Sequence, residues 1–141
     1  MGFLSSLDIS ASALTAQRMR MDIVSENIAN ATTTRTATGE PYRRRVAVLR
    51  QREGVAFSDI FENVSGSGVV VSAVVEDESP FKLEYDPSHP DADENGYVRM
   101  PNVDETKEII DMMSATRSFE ANVTALNATK SMAMKALEIG R

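Results

Sequence analysis

The first thirty residues place apolar side chains at alternating steps of three and four. Leu4, Leu7, Ala11, Leu14, Arg18, Met21, Ser25 and Ile28 fall on that spacing, which lines one face of a helix. Leu7, Leu14, Met21 and Ile28 recur every seven residues. Ser5, Ser6 and Asp8 suit the start of such a helix, because short polar side chains cap free N–H groups and acids favour the positive end of the dipole. A helix over residues 4–30 is predicted. After a break at Pro101 and Asn102 the spacing returns at Ile109, Met112, Thr116, Phe119, Val123, Leu126, Lys130, Ala133 and Leu137. Acids crowd its first turns and Lys130, Lys135 and Arg141 its end, as the dipole favours. This second helix is predicted to exceed thirty residues.

Between the helices the period changes to two. Arg45 to Leu49, Val69 to Glu76 and Phe81 to Tyr85 alternate in the manner of strands. Gly66 and Gly68 mark a turn, Pro80 an edge or strand start, and 86–96 a long polar connection. Residues 31–41, rich in Thr with Gly39 and Pro41, read as a linker. The organisation is therefore a helix over 1–30, a linker over 31–41, a β-rich segment over 42–101 and a helix over 102–141.

At about 1.5 Å per residue the helices would extend about 40 and 55 Å, too long for either to wrap inside a 141-residue globule. Each stripe is interrupted, at Ala11, Arg18, Ser25, Thr116 and Lys130, where a strong autonomous coiled coil carries Leu or Ile. Such helices complete their burial in an assembly, since amphipathic helices depend on a packed partner face. Methionines at 19, 21, 112, 113, 132 and 134 fit the same picture, because Met adapts to irregular contacts.

Composition narrows the chemistry. The chain has no Cys, which removes disulfides, thiol catalysis and Cys-ligated zinc. Its single His, His89 between Ser88 and Pro90, is all that a serine-type triad or other His chemistry could draw on, and a polyhistidine zinc site needs more than one. A net charge of −6 argues against bulk nucleic-acid binding, and Tyr42 is the only aromatic near the basic run, too little to stack single strands. No stretch reads as a secretory signal or a membrane span.

Charge is nonetheless segregated. Arg43, Arg44, Arg45, Arg50 and Arg52 lie within ten residues, whereas 76–94 holds eight acids against Lys82 alone. These are either two solvated surfaces or complementary faces that meet between subunits. Asp91, Asp93, Asn95 and Gly96 match the opening half of a calcium loop. The second half fails, with Asn102 where a bidentate Glu is needed and Pro101 before it, so 91–96 is expected to be a polar turn without metal. A binding module using 86–96 as a ligand loop, and an enzyme built on carboxylates, remain competing readings.

One further pattern is specific. Asn27-Ile28-Ala29-Asn30-Ala31, followed by Thr34, Gly39, Tyr42 and Arg43, resembles the N-terminal motif of bacterial flagellar rod and hook proteins. Pro41-Tyr42-Arg43-Arg44, the run from Tyr85 to Asp93 with Gly96-Tyr97-Val98-Arg99 and Pro101-Asn102-Val103, and the end from Phe119-Glu120-Ala121-Asn122-Val123 to Ala136-Leu137 extend the resemblance over the whole chain. They resemble the proximal-rod members of that family.

The resemblance implies an α+β chain whose terminal helices form a coiled coil in an inner tube, with a small antiparallel β region outside. It implies a structural subunit of the basal-body rod that transmits torque from motor to hook, with no catalytic site, cofactor or metal. Its partners would be other rod proteins, copies of itself and the type III export apparatus, with no nucleic acid and no membrane insertion. Its place would be the flagellar basal body in the periplasm, reached without a cleaved signal. The expected interface is Leu7, Leu14, Met21, Asn27, Ile28 and Asn30 on the first helix and Met112, Phe119, Val123, Leu126 and Leu137 on the last. Arg43, Arg44, Arg45, Asp91, Asp93 and Glu94 are the expected contacts of the outer segment, and Asn27 and Asn30 the organisers of the first helix end. Glu105, Thr106 and Lys107 make the start of the last helix polar, so its first two turns are expected to face solvent or stay unfolded.

Overall fold

A computed structural model describes residues 3–52 and 68–139. Helix α1 spans Phe3–Ala29, strands β1 Arg45–Gln51, β2 Val69–Glu76, β3 Lys82–Tyr85 and β4 Tyr97–Met100 follow, and helix α2 spans Glu105–Ile139. The chain is α+β, with two long helices around a small antiparallel β region. The bounds of α1 lie within one residue of those predicted at each end. Gly66 falls outside the described residues.

The helices run antiparallel. Asn27 bonds Glu108, Arg20 bonds Asp111 and Met21 meets Thr116, so one chain position falls as the other rises. The first turn of α2 is formed, contrary to the option of an unfolded start: Asp104 Oδ1 accepts from Thr106 N at 3.1 Å and Lys107 N at 3.4 Å. That cap offsets the polarity of Glu105, Thr106 and Lys107, which face solvent.

Among the described residues the β region is two separate ribbons. Antiparallel β1 and β2 pair from Arg45↔Glu76 to Gln51↔Val69, with a register shift between Val48 and Leu49. Antiparallel β3 and β4 pair from Lys82↔Met100 to Tyr85↔Tyr97. Strand β4 was hidden in the sequence, being four residues that the preceding polar turn masks. Residues 86–96 close this hairpin through bonds such as Asp86 N to Gly96 O, 3.0 Å.

Helix α1 is the middle layer, with α2 on one side and the β1–β2 ribbon lying along another. Ser12 Oγ accepts from Val69 N at 3.0 Å and donates to Ile9 O at 2.7 Å, fixing the far end of the ribbon. Gly68 sits there with φ +96°, and a Cβ on it would come within 2.5 Å of Ser12 Oγ. Glycine is required twice over, by conformation and by space.

This layering shifts the buried stripe from the predicted one. Among the described side chains Ser12, Ala16, Ile23, Val24 and Asn27 are the buried positions of α1, while Leu7, Leu14, Met21 and Ile28 are half-buried and Leu4, Ala11, Arg18 and Ser25 are exposed. The Ala16–Ile23–Asn27 line lies about two fifths of a turn round from the heptad line. It faces ribbon and helix together, so it is shut off more completely. On α2 the buried residues are Glu108 and Ala115, not their neighbours Ile109 and Thr116, which are exposed.

Candidate assembly site

The end of α1 is organised by one amide. Asn27 is fully buried. Its Oδ1 accepts from Arg45 N at 2.9 Å and from Tyr42 OH at 3.0 Å. Its Nδ2 donates to Arg45 O and to Glu108 Oε2, both at 2.8 Å. Both donors and both acceptor sites of the side chain are therefore used. Asn27 is thus set apart from the rest of the expected interface set, since its side chain has no capacity left for another subunit. Asn30 Nδ2 donates to Glu26 O at 2.9 Å and its Oδ1 accepts from Thr33 Oγ1 at 3.3 Å, which closes the helix end and starts the turn.

Glu108, equally buried, continues the network. Its Oε1 accepts from Arg44 Nε at 2.6 Å, and the same guanidinium reaches Asp77 at 3.6 Å and Asp111 at 3.8 Å. Asp111 also takes Arg20 at 2.6 Å. Burial acts to lower the Arg44 pKa, but the hydrogen bond and charge of Glu108, with Asp77 and Asp111, outweigh it and hold the group above its ordinary value. Asn102 completes the joint: its Oδ1 accepts from Arg44 N at 2.8 Å and its Nδ2 donates to Asp77 O at 2.9 Å. Two hydrogen bonds from Ser79, through its side chain and its N–H, hold the Asp77 carboxyl below the usual range, helped by Arg44. Burial lifts the Tyr42 pKa, Arg45 opposes this, and Glu26, Glu108 and Glu76 add to the rise.

Glu108, Asn102 and Ser12 were missed in the sequence. A signal existed for the first, because Glu108 precedes Met112 by one helical turn and a carboxylate there requires a buried cation, which the arginine run could supply.

The remaining expected positions separate into two groups. Met112, Phe119, Val123 and Leu126 are half-buried, and Leu137 is 75% exposed. No described residue of α2 beyond Ala115 is buried. Among the outer charges, Arg44 is committed inside the chain, Arg45 meets Glu26 at 3.6 Å, and Arg43 stacks on Phe81 at 4.4 Å from the ring centre. Asp91 accepts from Thr34 Oγ1 at 2.9 Å and lies 3.5 Å from Arg35. Asp93 Oδ1 accepts from Asn95 N and Tyr97 N at 2.9 and 2.8 Å, Asp86 binds Ser88 in the same manner, and Glu94 is exposed. Asp86 and Asp93 thus brace their own loop, while Asp91 ties it to the linker after α1. Ser88 holds the Asp86 pKa below its ordinary value.

The arrangement is one of joints and uncovered stripes, with no convergent set of reactive groups among the described residues. Comparison with known proteins gives it a setting. A family model described as flagella basal body rod protein matches residues 7–35, and one described as flagellar basal body rod FlgEFG protein C-terminal matches 94–139. The flagellar basal-body rod protein FlgC of Bacillus subtilis is 56% identical over 146 residues, covering 96% of this chain and 97% of the relative. Its counterpart in Borreliella burgdorferi is 45% identical over 99% of this chain and 98% of its own, and that of Salmonella typhimurium 41% identical over the full length of both. The chain belongs to the FlgC family of flagellar basal-body rod proteins.

FlgC-family chains are structural, so the chain is a structural rod subunit of the flagellar basal body and not an enzyme. The regions matched by the two family models meet in space here: Asn27 lies in the first and Glu108 in the second. No described helix is long and apolar enough to cross a membrane.

Proposed function

We propose that the terminal helices pack as a coiled coil in the inner layer of the rod, against each other and against neighbouring subunits, and that this layer carries torque from motor to hook. The observation that supports it is the distal half of α2. Phe119, Val123, Leu126 and Leu137 recur there at helical spacing, yet none of them is buried within the chain. An apolar stripe left half-covered over that length is completed by another helix. The partners are other rod components and further copies of this chain. The helices are marginal alone, so the chain passes the type III export apparatus without a cleaved signal, works in the periplasm and folds its distal termini on assembly.

Leu7, Leu14, Met21 and Ile28 flank the helix pair on the side away from the ribbon, and with Met112, Phe119, Val123, Leu126 and Leu137 they form the interface. Arg43, Arg45 and Glu94 set contacts of the outer segment. The test is Phe119→Asp with Leu126→Asp. The expected result is loss of the chain from isolated basal bodies and loss of motility, with amide protection in β1 and β2 retained. Normal motility in this variant overturns the interface.

A further inference from the structure

The β3–β4 hairpin has one face turned inward and one turned out. Residues directly opposed across a ladder share a side, and so do alternate residues along a strand. Leu83 opposes Arg99 and Tyr85 opposes Tyr97, so these four share a face. Val98, on the other, is buried. The outward four are all exposed: Leu83 is 68% and Tyr85 65% accessible. Tyr85 and Tyr97 pack edge to face with centroids 5.3 Å apart, which fixes both rings without covering them.

Beside them, Phe81 holds two guanidiniums, Arg43 at 4.4 Å and Arg99 at 4.8 Å from its centre. Among the described residues neither has a carboxylate within ion-pair distance. Arg43 makes only a 3.4 Å bond to Asp77 O. Stacking has already ordered these side chains, so a partner carboxylate gains their hydrogen bonds at little further entropic cost. Tyr and Arg in an exposed, pre-ordered cluster are the residue types that dominate interface energy.

The complementary surface is on the same chain. At the end of β2, Val74 and Val75 are exposed apolar residues, and Glu76 and Glu78, also exposed, have no basic partner within ion-pair distance among the described residues. We propose that the outward face of the β3–β4 hairpin docks the segment Val74 to Glu78 of a second copy, with Arg43 and Arg99 receiving Glu76 and Glu78, and Leu83 and Tyr85 covering Val74, which shares a side of β2 with Glu76. This rests on the reading of the outer segment as a contact surface and names its two halves. It also moves the charged contact away from Arg44, Asp91 and Asp93, which are engaged within the chain.

The absence of native Cys makes the test direct. Leu83→Cys and Val74→Cys, made on separate full-length copies of which one bears a size tag, are expressed together, and isolated basal bodies are oxidised. A mixed disulfide of the two copies is expected, because bridging requires Cα atoms within about 7 Å. Arg43→Glu with Arg99→Glu lowers its yield by about tenfold or more, and Glu76→Arg with Glu78→Arg in the other copy restores it. Tyr85→Cys with Val74→Cys is the second pair should the first disturb folding. Both copies present in basal bodies with no mixed bridge from either pair overturns the proposal. So does a bridge only between identical variants, or one to a different protein. Immunoblotting for both copies reports on rod membership and on helix-driven assembly separately from the bridge.

Discussion

Arg44 Nε donates to Glu108 Oε1 at 2.6 Å, and the carboxylate that receives it has no contact with solvent. A buried acid in this position is tolerable only because Arg44 and Asn27 together occupy both its oxygens. Arg44→Met leaves Glu108 with one neutral donor, and a loss of about 3 kcal/mol in urea denaturation is expected. Glu108→Gln keeps the shape and leaves Arg44 with Asp77 and Asp111, so it costs less, about 1–2 kcal/mol. An equal or reversed order would show that the pair does not govern this joint.

Asn27→Asp replaces the amide that donates to Glu108 with a second carboxylate 2.8 Å away. Two such charges oppose each other, so thermal unfolding should fall steeply at pH 7 and recover in part as pH drops towards 4. Asn27→Ala should instead lower stability at both pH values, by about 2–4 kcal/mol, since the Tyr42 hydroxyl and the Arg45 backbone lose partners.

Gly68→Ala meets Ser12 Oγ and a left-handed backbone at once. A loss of about 1–3 kcal/mol is expected, with faster amide exchange at Val69, whose N–H depends on Ser12. Gly39, with φ +83° and open space around its missing Cβ, is the control: Gly39→Ala should cost only about 1 kcal/mol.

Tyr42 gives a pH signature. Its folded pKa is raised above 10.0, first by burial. The folded state therefore holds its proton where the unfolded state releases it. The contribution is complete below pH 10 and is lost as pH rises through the folded value. Tyrosinate absorbance should show a late-titrating ring, and Tyr42→Phe should remove it. Asp77 acts at the other end: with its pKa lowered, chiefly by Ser79, its contribution is present above pH 3.8 and fades as pH falls through the folded value.

Amide exchange of the isolated chain should follow the buried residues, not the helix limits. Protection is expected over 16–29 and 105–115, where Ala16, Ile23, Val24, Glu108 and Ala115 are buried, and fast exchange over 119–139, where none is. Uniform protection along α2 would contradict assembly-coupled folding.

The helices were legible because heptad spacing persists over several turns, as from Leu7 to Ile28. Which side they bury was not. Leu14 and Met21 dominate any hydrophobic count, yet Ser12, Ala16 and Asn27 are the residues enclosed, because small and polar side chains let the ribbon and second helix approach the α1 backbone closely. Local periodicity does not register neighbours as distant in the chain as Val69 is from Ser12 or Glu108 from Asn27. The same holds for the arginines. Their clustering was visible, but the division between Arg44, spent on Glu108, and Arg43, resting on Phe81, depends on where Asn102 and Phe81 return to the joint. Strand β4 was missed because Tyr97 to Met100 alternates for only four residues and gains its identity from pairing with β3.

The Asn27–Glu108–Arg44 joint sits at one end of a helix pair about 50 Å long, and the β3–β4 hairpin is attached at that same end. A sideways load on the hairpin therefore arrives concentrated at this joint, not as shear spread along the shaft. The bonds there, from Asn27 to Arg45, Arg44 to Glu108 and Asn102 to Asp77, bridge different parts of the chain side by side. They share the strain in parallel, so yielding requires several to break together, and the outer hairpin behaves as a stiff lever clamped to the helices at a single short collar.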